Sequence, residues 1–171
     1  QTNGIRLIYP SSTSVYGSAD KVVDETNNKF LNPQSPYAEG KILEENYIIK
    51  NLSKDYYILR LGTIFGVSNG MRFHTAVNKF CYQAVLGLPI TVWETAMDQY
   101  RPYLEILDAC RSIEYFIKNN KDHGIYNINT FNLTVREIIN EIEDNVEKLE
   151  IEYVKSKIMN QLSYFVSNDK N

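Results

Sequence analysis

The chain has 171 residues and a mass of 19.8 kDa, with 43% hydrophobic residues, 23% charged residues and a formal net charge of −3. A chain of this size can bury a real core without disulfides or a structural metal, so we expect one globular domain and no metal site. The slight acidic excess argues against nucleic acid as a partner, and no apolar run is long enough to indicate a membrane span.

The first predicted element is a strand, indicated by the mostly apolar run from Ile5 to Tyr9. A run of this kind is typical of a strand that is covered on both faces, inside a parallel sheet rather than at its edge. Strand-like and helix-like segments alternate through the rest of the chain, with no fixed repeat and no low-complexity stretch. The pattern predicts an α/β fold.

Four helices and four further strands are predicted from the apolar spacing and from the residues that begin and end helices. The helices are expected at residues 37–55 and 75–86, from a cap at Asp108 to Asn119, and after a capping box that opens at Thr134. The strands are expected at residues 57–61, 90–93, 125–128 and 151–154. A loop with Gly66 and Gly70 should lie at the carboxyl end of a strand.

The strongest chemical signal is a tyrosine and a lysine four residues apart on the first predicted helix, Tyr37 and Lys41. This spacing places both side chains on one face of the helix. A nearby ammonium favours the phenolate and lowers the pKa of a tyrosine, so Lys41 could make Tyr37 a working proton shuttle. Taken alone, the same spacing also describes a solvated lysine beside a half-buried ring.

Four segments of the chain carry a family resemblance, because they occur in one order and at matching distances. They are SSTSVYG (residues 11–17), PQSPYAEGK (33–41), LRLGTIFG (59–66) and RPYLEILD (101–108). Together they resemble the extended short-chain dehydrogenase/reductases, and more narrowly the NAD-dependent epimerase/dehydratase branch that acts on nucleotide-sugars. The resemblance implies the second half of a Rossmann-like parallel sheet plus a small α/β part that binds substrate. Residues 1–62 would belong to the catalytic domain, and residues 63–171 mostly to the substrate-binding part, with some segments returning to the sheet.

The resemblance implies a catalytic role for Ser12, Tyr37 and Lys41. Ser12 would hold a sugar hydroxyl while Tyr37 removes its proton, and Lys41 would tune Tyr37. Ser11, Tyr37 and Lys41 would contact the cofactor, NAD or NADP, which takes a hydride from the sugar and returns it to the other face. From the residues alone, Ser12 can equally be a turn hydroxyl that bonds to the local backbone.

The positions after Ser12 bear on which reaction of the family is expected. Dehydratases of the family usually carry an acidic residue there, whereas this chain has Thr13 and Ser14. Neither side chain titrates in a range useful for eliminating water, so we favour epimerisation. A sugar reductase or a dehydratase of the same family stays open as an alternative.

The resemblance also implies a nucleotide-diphosphate sugar as substrate. The residues expected to contact it are Thr13, Thr63, Arg72, Asn78, Trp93 and Arg101. Arg101 would clamp the diphosphate through its bidentate guanidinium, and Trp93 would lie beside the base. The alternatives are a surface role for Arg101 and a core role for Trp93, and we assign no chemistry to His74.

The glycine-rich turn with which this branch binds NAD is not found among the eight glycines of the sequence. Two hypotheses follow. The chain is either part of an NAD-dependent epimerase whose cofactor-binding βαβ units are missing here, or a non-catalytic module that binds nucleotide-sugars.

Cellular setting and assembly are expectations as well. Two distant cysteines, with no CxxC pattern and no signal-like segment, favour a cytoplasmic setting. The resemblance implies a homodimer of the intact enzyme through the Tyr37 helix, with Leu43, Tyr47 and Ile48 directed outward.

Overall fold

A computed structural model describes residues 5–19, 22–26, 28–119, 121–155 and 163–170 of the chain. The strands are β1 Leu7–Ser12, β2 Val22–Val23, β3 Tyr56–Leu61, β4 Thr63–Phe65, β5 Ile90–Trp93, β6 Arg101–Glu105, β7 Gly124–Ile128, β8 Phe131–Leu133, β9 Ile151–Val154 and β10 Phe165–Val166. The helices are α1 Pro36–Asn51, α2 Ala76–Val85, α3 Ile106–Lys118 and α4 Val135–Glu143. The elements alternate along the chain, which confirms the predicted α/β class.

The sheet that organises the molecule is parallel and has the strand order β1-β3-β7. Its middle strand β3 is buried at every residue except the last, because both faces of the sheet are covered. On one face Ile48 of α1 packs with Tyr56 and Ile58, and on the other Phe116 of α3 packs with Tyr57. The apolar strands of a parallel sheet thus lie between two layers of helix.

Within the described residues β1 has one strand neighbour, and its predicted interior place in a longer sheet stays a prediction. That neighbour is β3. Both faces of β1 are nevertheless packed, with Leu7 and Tyr9 toward α1 and Ile8 toward the cluster around α3. An apolar strand sequence indicates that both faces of the strand are packed. It does not indicate how many strands pair with it, because strands pair through backbone hydrogen bonds.

A second layer of smaller sheets lies beside two separate cores, one of which contains Val23 of β2 and Val166 of β10. Strand β6 pairs in parallel with β4 and antiparallel with β8, while β5 pairs with β9 and β10 with β2, both in parallel. Helices α2 and α4 pack on this layer, where Phe80, Ile90 and Ile138 are buried together. No helix within the described ranges is both long and apolar enough to cross a membrane.

The ends of three helices show how local sequence sets their bounds. The hydroxyl of Ser35 caps α1 by accepting the amide of Ala38 at 3.2 Å, and the helix ends at Asn51, four residues before the predicted end. The predicted capping box of Thr134 and Glu137 is confirmed at α4. The predicted cap of α3 at Asp108 is wrong: Glu105 caps this helix, because its carboxylate accepts the amides of residues 107 and 108.

Helix α1 also corrects one predicted side-chain direction. Leu43 and Tyr47 are each 70% exposed, whereas Ile48, predicted to point outward, is 8% exposed. Ile48 lies three residues after Glu45, and this spacing brings both side chains to the face that packs on the sheet.

Candidate active site

A cavity at the carboxyl end of β1, here called the main cleft, has a volume of about 550 Å³. Residues at the ends of β1 and β3, the start of α1, strand β4 and the loop at residues 66–75 line it. The carboxyl ends of parallel strands are where open α/β sheets collect ligands. The topology therefore places this cavity where a binding site is expected.

Ser12, Tyr37 and Lys41 all line the main cleft. Ser12 is the last residue of β1, and its hydroxyl accepts the amide of Ser14 at 3.2 Å, which caps a short 3-10 helix. Tyr37 lies in the first turn of α1 and is 60% exposed. The structure brings the three predicted catalytic side chains to one cavity, with the Ser12 hydroxyl also serving the local backbone.

The ammonium of Lys41 is held from several sides. It donates to the hydroxyl of Tyr9 at 2.8 Å and to the carbonyl of Pro10 at 3.2 Å, and it lies 3.3 Å from the carboxylate of Glu44. Its distance to the ring centre of Tyr37 is 5.8 Å. Burial lowers the pKa of Lys41, but the bonds with Tyr9 and Glu44 outweigh burial, so its pKa lies above the ordinary value.

Behind the cleft lies a buried ion pair that the sequence analysis did not assign. Arg60 of β3 donates to both carboxylate oxygens of Glu45 of α1, at 3.0 and 2.6 Å. The hydroxyl of Ser11 donates to the same carboxylate at 2.5 Å. Ser11, predicted to contact the cofactor, thus lines the main cleft while its hydroxyl is engaged by Glu45.

The buried pair continues into a longer polar chain. The guanidinium of Arg60 donates to Tyr16 at 2.9 Å, and Tyr16 donates to Asn127 at 2.7 Å. Asn127 in turn donates to Glu25 at 2.9 Å, so β3 and β7 are tied to the segment that follows β1. Burial raises the pKa of Tyr16, which keeps this phenol protonated as a donor.

Two signals in the sequence point to this network. Arg60 interrupts the otherwise apolar strand YYILRL, and a charge in a buried strand needs a buried partner. Glu45 follows Lys41 by four residues, on neighbouring turns of α1. Tyr9 and Glu44, which hold Lys41, were missed as well.

A second cavity, here called the side pocket, adjoins the main cleft and has a volume of about 310 Å³. Thr63, Trp93 and Arg101 line it. His74 and Thr75 line both cavities, so the two are neighbours. Trp93 is 48% exposed and belongs to the wall of this pocket rather than to the core.

The remaining predicted substrate contacts have different environments. Arg72 and Asn78 line the main cleft, but the buried amide of Asn78 accepts from Gly66 and donates to the carbonyl of Arg72, both at 3.0 Å. Asn78, which belongs to α2, is therefore hydrogen-bonded to the loop at residues 66–75. Thr13 lines neither cavity, since it is buried with its hydroxyl 3.3 Å from the carbonyl of Leu61 and from the hydroxyl of Tyr164.

The described part of the chain contains no candidate metal-binding cluster. No three His, Cys, Asp or Glu side chains there come close enough together to hold a metal ion. The two cavities present phenol, ammonium, hydroxyl and guanidinium groups.

The chain belongs to the NAD dependent epimerase/dehydratase family, whose model matches residues 1–129. Among curated relatives, it is 26% identical over 158 residues to ADP-L-glycero-D-manno-heptose-6-epimerase of Brachyspira hyodysenteriae (strain ATCC 49526 / WA1). That match covers 88% of this chain and 49% of the relative. The chain thus spans about half the length of this relative.

Two solved structures have the same fold as this chain. UDP-glucose 4-epimerase of Thermus thermophilus, in complex with NAD, aligns with a TM-score of 0.80 and 21% identity over 97% of this chain and 56% of its own. DesIV, the dTDP-glucose 4,6-dehydratase of Streptomyces venezuelae, aligns with a TM-score of 0.78 and 23% identity over 96% of this chain and 52% of its own. These likenesses confirm the Rossmann-like fold that the motifs predicted.

Proposed function

We propose that this chain is the catalytic and substrate-binding part of an NAD-dependent nucleotide-sugar epimerase. The main observation in support of the proposal is that the two cavities share part of their lining. Ser12, Tyr37 and Lys41 line the main cleft, which adjoins the side pocket with Trp93 and Arg101. A sugar in the main cleft could thus stay attached to a nucleotide in the side pocket.

The residues of the main cleft would move a proton on the sugar. The Ser12 hydroxyl can donate and accept at once, so it would orient the sugar hydroxyl while the Tyr37 phenolate removes the proton. The Lys41 ammonium, 5.8 Å from the centre of the Tyr37 ring, would stabilise that phenolate. The carbon would be inverted when the hydride is returned to its other face, and proton return from Tyr37 to the oxygen would restore the hydroxyl.

The donor set of the main cleft fits the nicotinamide-ribose end of NAD. The hydroxyl of Tyr37 is a group that could bond a ribose hydroxyl, and the ammonium of Lys41 could do so by exchanging one of its three contacts, with Tyr9, Pro10 or Glu44. NAD, when bound, supplies a hydride acceptor and donor for the sugar carbon. The sequence contains no GxGxxG or GxxGxxG turn, so we assign no residue to the pyrophosphate.

Epimerisation is favoured over elimination of water by the walls of the main cleft. None of the described residues that line it is an aspartate or a glutamate. Eliminating water from neighbouring carbons needs an acid and a base beyond the pair that removes the hydroxyl proton. Thr13, which follows Ser12, is turned away into the core.

Turnover of nucleotide-sugars tests this proposal. The protein expressed from its complete coding sequence would be incubated with NAD and with ADP-, UDP- and dTDP-sugars, and epimers would be measured by NMR. We expect Tyr37→Phe to lower kcat by about 100-fold or more, because the proton shuttle is lost. Tyr153→Phe is the matched control, since Tyr153 is an exposed tyrosine outside both cavities. Nucleotide-sugar binding without turnover by the wild type would favour the non-catalytic module.

The side pocket can be tested by fluorescence, because Trp93 is the only tryptophan of the chain. A nucleotide diphosphate that binds there should change the emission of Trp93. Arg101→Met should weaken this binding by about 10- to 100-fold through loss of charge-assisted hydrogen bonds. An unchanged affinity would contradict the assignment of the diphosphate to Arg101.

We also propose that the intact enzyme is a homodimer in which α1 takes part. Leu43 and Tyr47 lie one turn apart on this helix and are each 70% exposed. Light scattering of the wild type and of a Leu43→Glu variant would test this, with a monomeric wild type as the contradicting result.

A further inference from the structure

Lys41, Tyr9 and Glu44 form a closed triangle of polar contacts beside the main cleft. Lys41 donates to the hydroxyl of Tyr9 at 2.8 Å, and Tyr9 donates its own proton to the carboxylate of Glu44. The carboxylate of Glu44 is 3.3 Å from the ammonium of Lys41. Each of the three groups therefore contacts the other two.

The direction of these bonds fixes the ammonium. A phenol has one proton, and because Tyr9 gives it to Glu44, the Tyr9 oxygen is left to accept from Lys41. The ammonium also lies 4.7 Å from the ring centre of Tyr9 and bonds the carbonyl of Pro10. Tyr9 and Pro10 belong to strand β1, which gives the flexible lysine chain a rigid support.

Exposure sets this lysine apart from the others that pair with carboxylates. The side chain of Lys41 is 18% exposed, against 67% for Lys118 beside Glu114 and 79% for Lys148 beside Glu150. An exposed pair of this kind contributes little, since water screens it and the side chains stay mobile. Lys41 is thus distinguished from these two exposed lysines by its low exposure and by its hydrogen bond to Tyr9.

We propose that Tyr9 and Glu44 are positioning residues for Lys41, holding its ammonium beside Tyr37 at the wall of the main cleft. The inference rests on the proposed function, in which the charge of Lys41 stabilises the Tyr37 phenolate. Neither Tyr9 nor Glu44 lines the main cleft in the described part of the chain, so they act through Lys41 rather than on a ligand.

Titratable groups face Lys41 from two elements. Tyr9 faces it from β1, and Tyr37 and Glu44 face it from α1. Without the bonds from Tyr9 and Glu44, burial would be left to lower the pKa of Lys41. An uncharged Lys41 could not stabilise the phenolate, so the loss would appear first on the alkaline side.

NMR of the protein labelled with ¹³C,¹⁵N-lysine tests the placement without requiring turnover. The Lys41 signal would be assigned with Lys41→Arg, and its pKa measured in wild type, Tyr9→Phe and Glu44→Gln. We expect both variants to lower the pKa of Lys41, since each removes a bond to the ammonium. Tyr153→Phe and Glu114→Gln are the matched controls, because they remove a hydroxyl and a carboxylate far from Lys41 and should leave its pKa unchanged. An unchanged pKa in both Tyr9→Phe and Glu44→Gln would overturn the inference.

Kinetic measurements add a readout that would not change if Tyr9 and Glu44 only stabilised the fold. Tyr9→Phe should lower kcat by about tenfold with KM unchanged, the effect of one charge-assisted hydrogen bond. The alkaline limb of the kcat profile should shift to lower pH. A lowered Lys41 pKa in a protein without turnover would support the positioning and overturn the proposed function. Turnover with a normal profile in both variants would overturn the positioning alone.

Discussion

Two consecutive carboxylates of α1 have opposite environments. Glu44 is 55% exposed and pairs with Lys41 at the rim of the main cleft. Glu45 is 3% exposed and pairs with Arg60, which is 2% exposed, between the helix and the sheet. One residue along an α-helix is a rotation of about 100°, which is enough to turn one side chain to solvent and the next to the core.

The difference shows how one helix can hold a buried cation and a cation at the rim of a cleft at once. The buried pair is tolerable because Ser11 and Tyr16 supply further hydrogen bonds to its charged groups. It therefore fixes α1 against β1 and β3. The rim pair leaves the Lys41 ammonium partly solvated at the wall of the main cleft.

The largest effect is expected at the buried pair. Arg60→Met leaves the Glu45 carboxylate without its cation in the core and should lower the free energy of unfolding by about 3–5 kcal/mol. Urea unfolding measures this. The double variant Arg60→Met/Glu45→Leu should be less destabilised than Arg60→Met, because no unpaired charge remains. Lys118→Met, at an exposed ion pair, is the control. A loss of stability in Arg60→Met no greater than in Lys118→Met would contradict the difference between the buried and the exposed pair.

A smaller loss is expected one bond further from the ion pair. Tyr16→Phe keeps the buried ring but leaves an N–H of Arg60 and the amide oxygen of Asn127 without the phenol. The expected destabilisation is about 1–3 kcal/mol, the cost of unsatisfied buried polar groups. Thermal or urea unfolding beside Tyr153→Phe measures it, and equal stability of the two variants would show that the polar chain ends at Arg60.

The smallest effect is expected at the rim, where it should depend on pH. Hydrogen bonds from Tyr9 and then Lys41 hold the pKa of Glu44 below its ordinary value of 4.5. A carboxyl with a depressed pKa stabilises the fold above its ordinary pKa, and the contribution is lost as pH falls through the folded value. The stability difference between wild type and Glu44→Gln should therefore be present at pH 7 and vanish in acid. A difference that persists unchanged below pH 3 would contradict this assignment.

Much of the fold follows from local sequence. The strands at residues 90–93 and 151–154 have the predicted bounds, and the capping box at Thr134 opens α4. These elements carry their own signals, an apolar run or a side chain that bonds its own helix end. The order of the motifs likewise predicted that Ser12, Tyr37 and Lys41 should meet, and all three line the main cleft. Their catalytic roles stay a prediction.

Other features were decided by tertiary contacts. Strands β4, β6 and β8 were not predicted, because these short segments lack a clear apolar run of their own and pair with partners supplied elsewhere in the chain. Tertiary structure also decides the environment of Asp108, the predicted cap of α3, because its carboxylate accepts from Thr130 in the segment between β7 and β8, whereas Glu105 bonds the start of α3.

The site shows the same division between sequence and structure. Residue types and spacing along one helix determined the face that carries Tyr37 and Lys41. The partners of that face, Tyr9 for Lys41 and Arg60 for Glu45, come from strands 32 and 15 residues away. Only the folded chain brings them into contact, because hydrogen bonds and ion pairs act over a few ångströms whatever the separation in sequence.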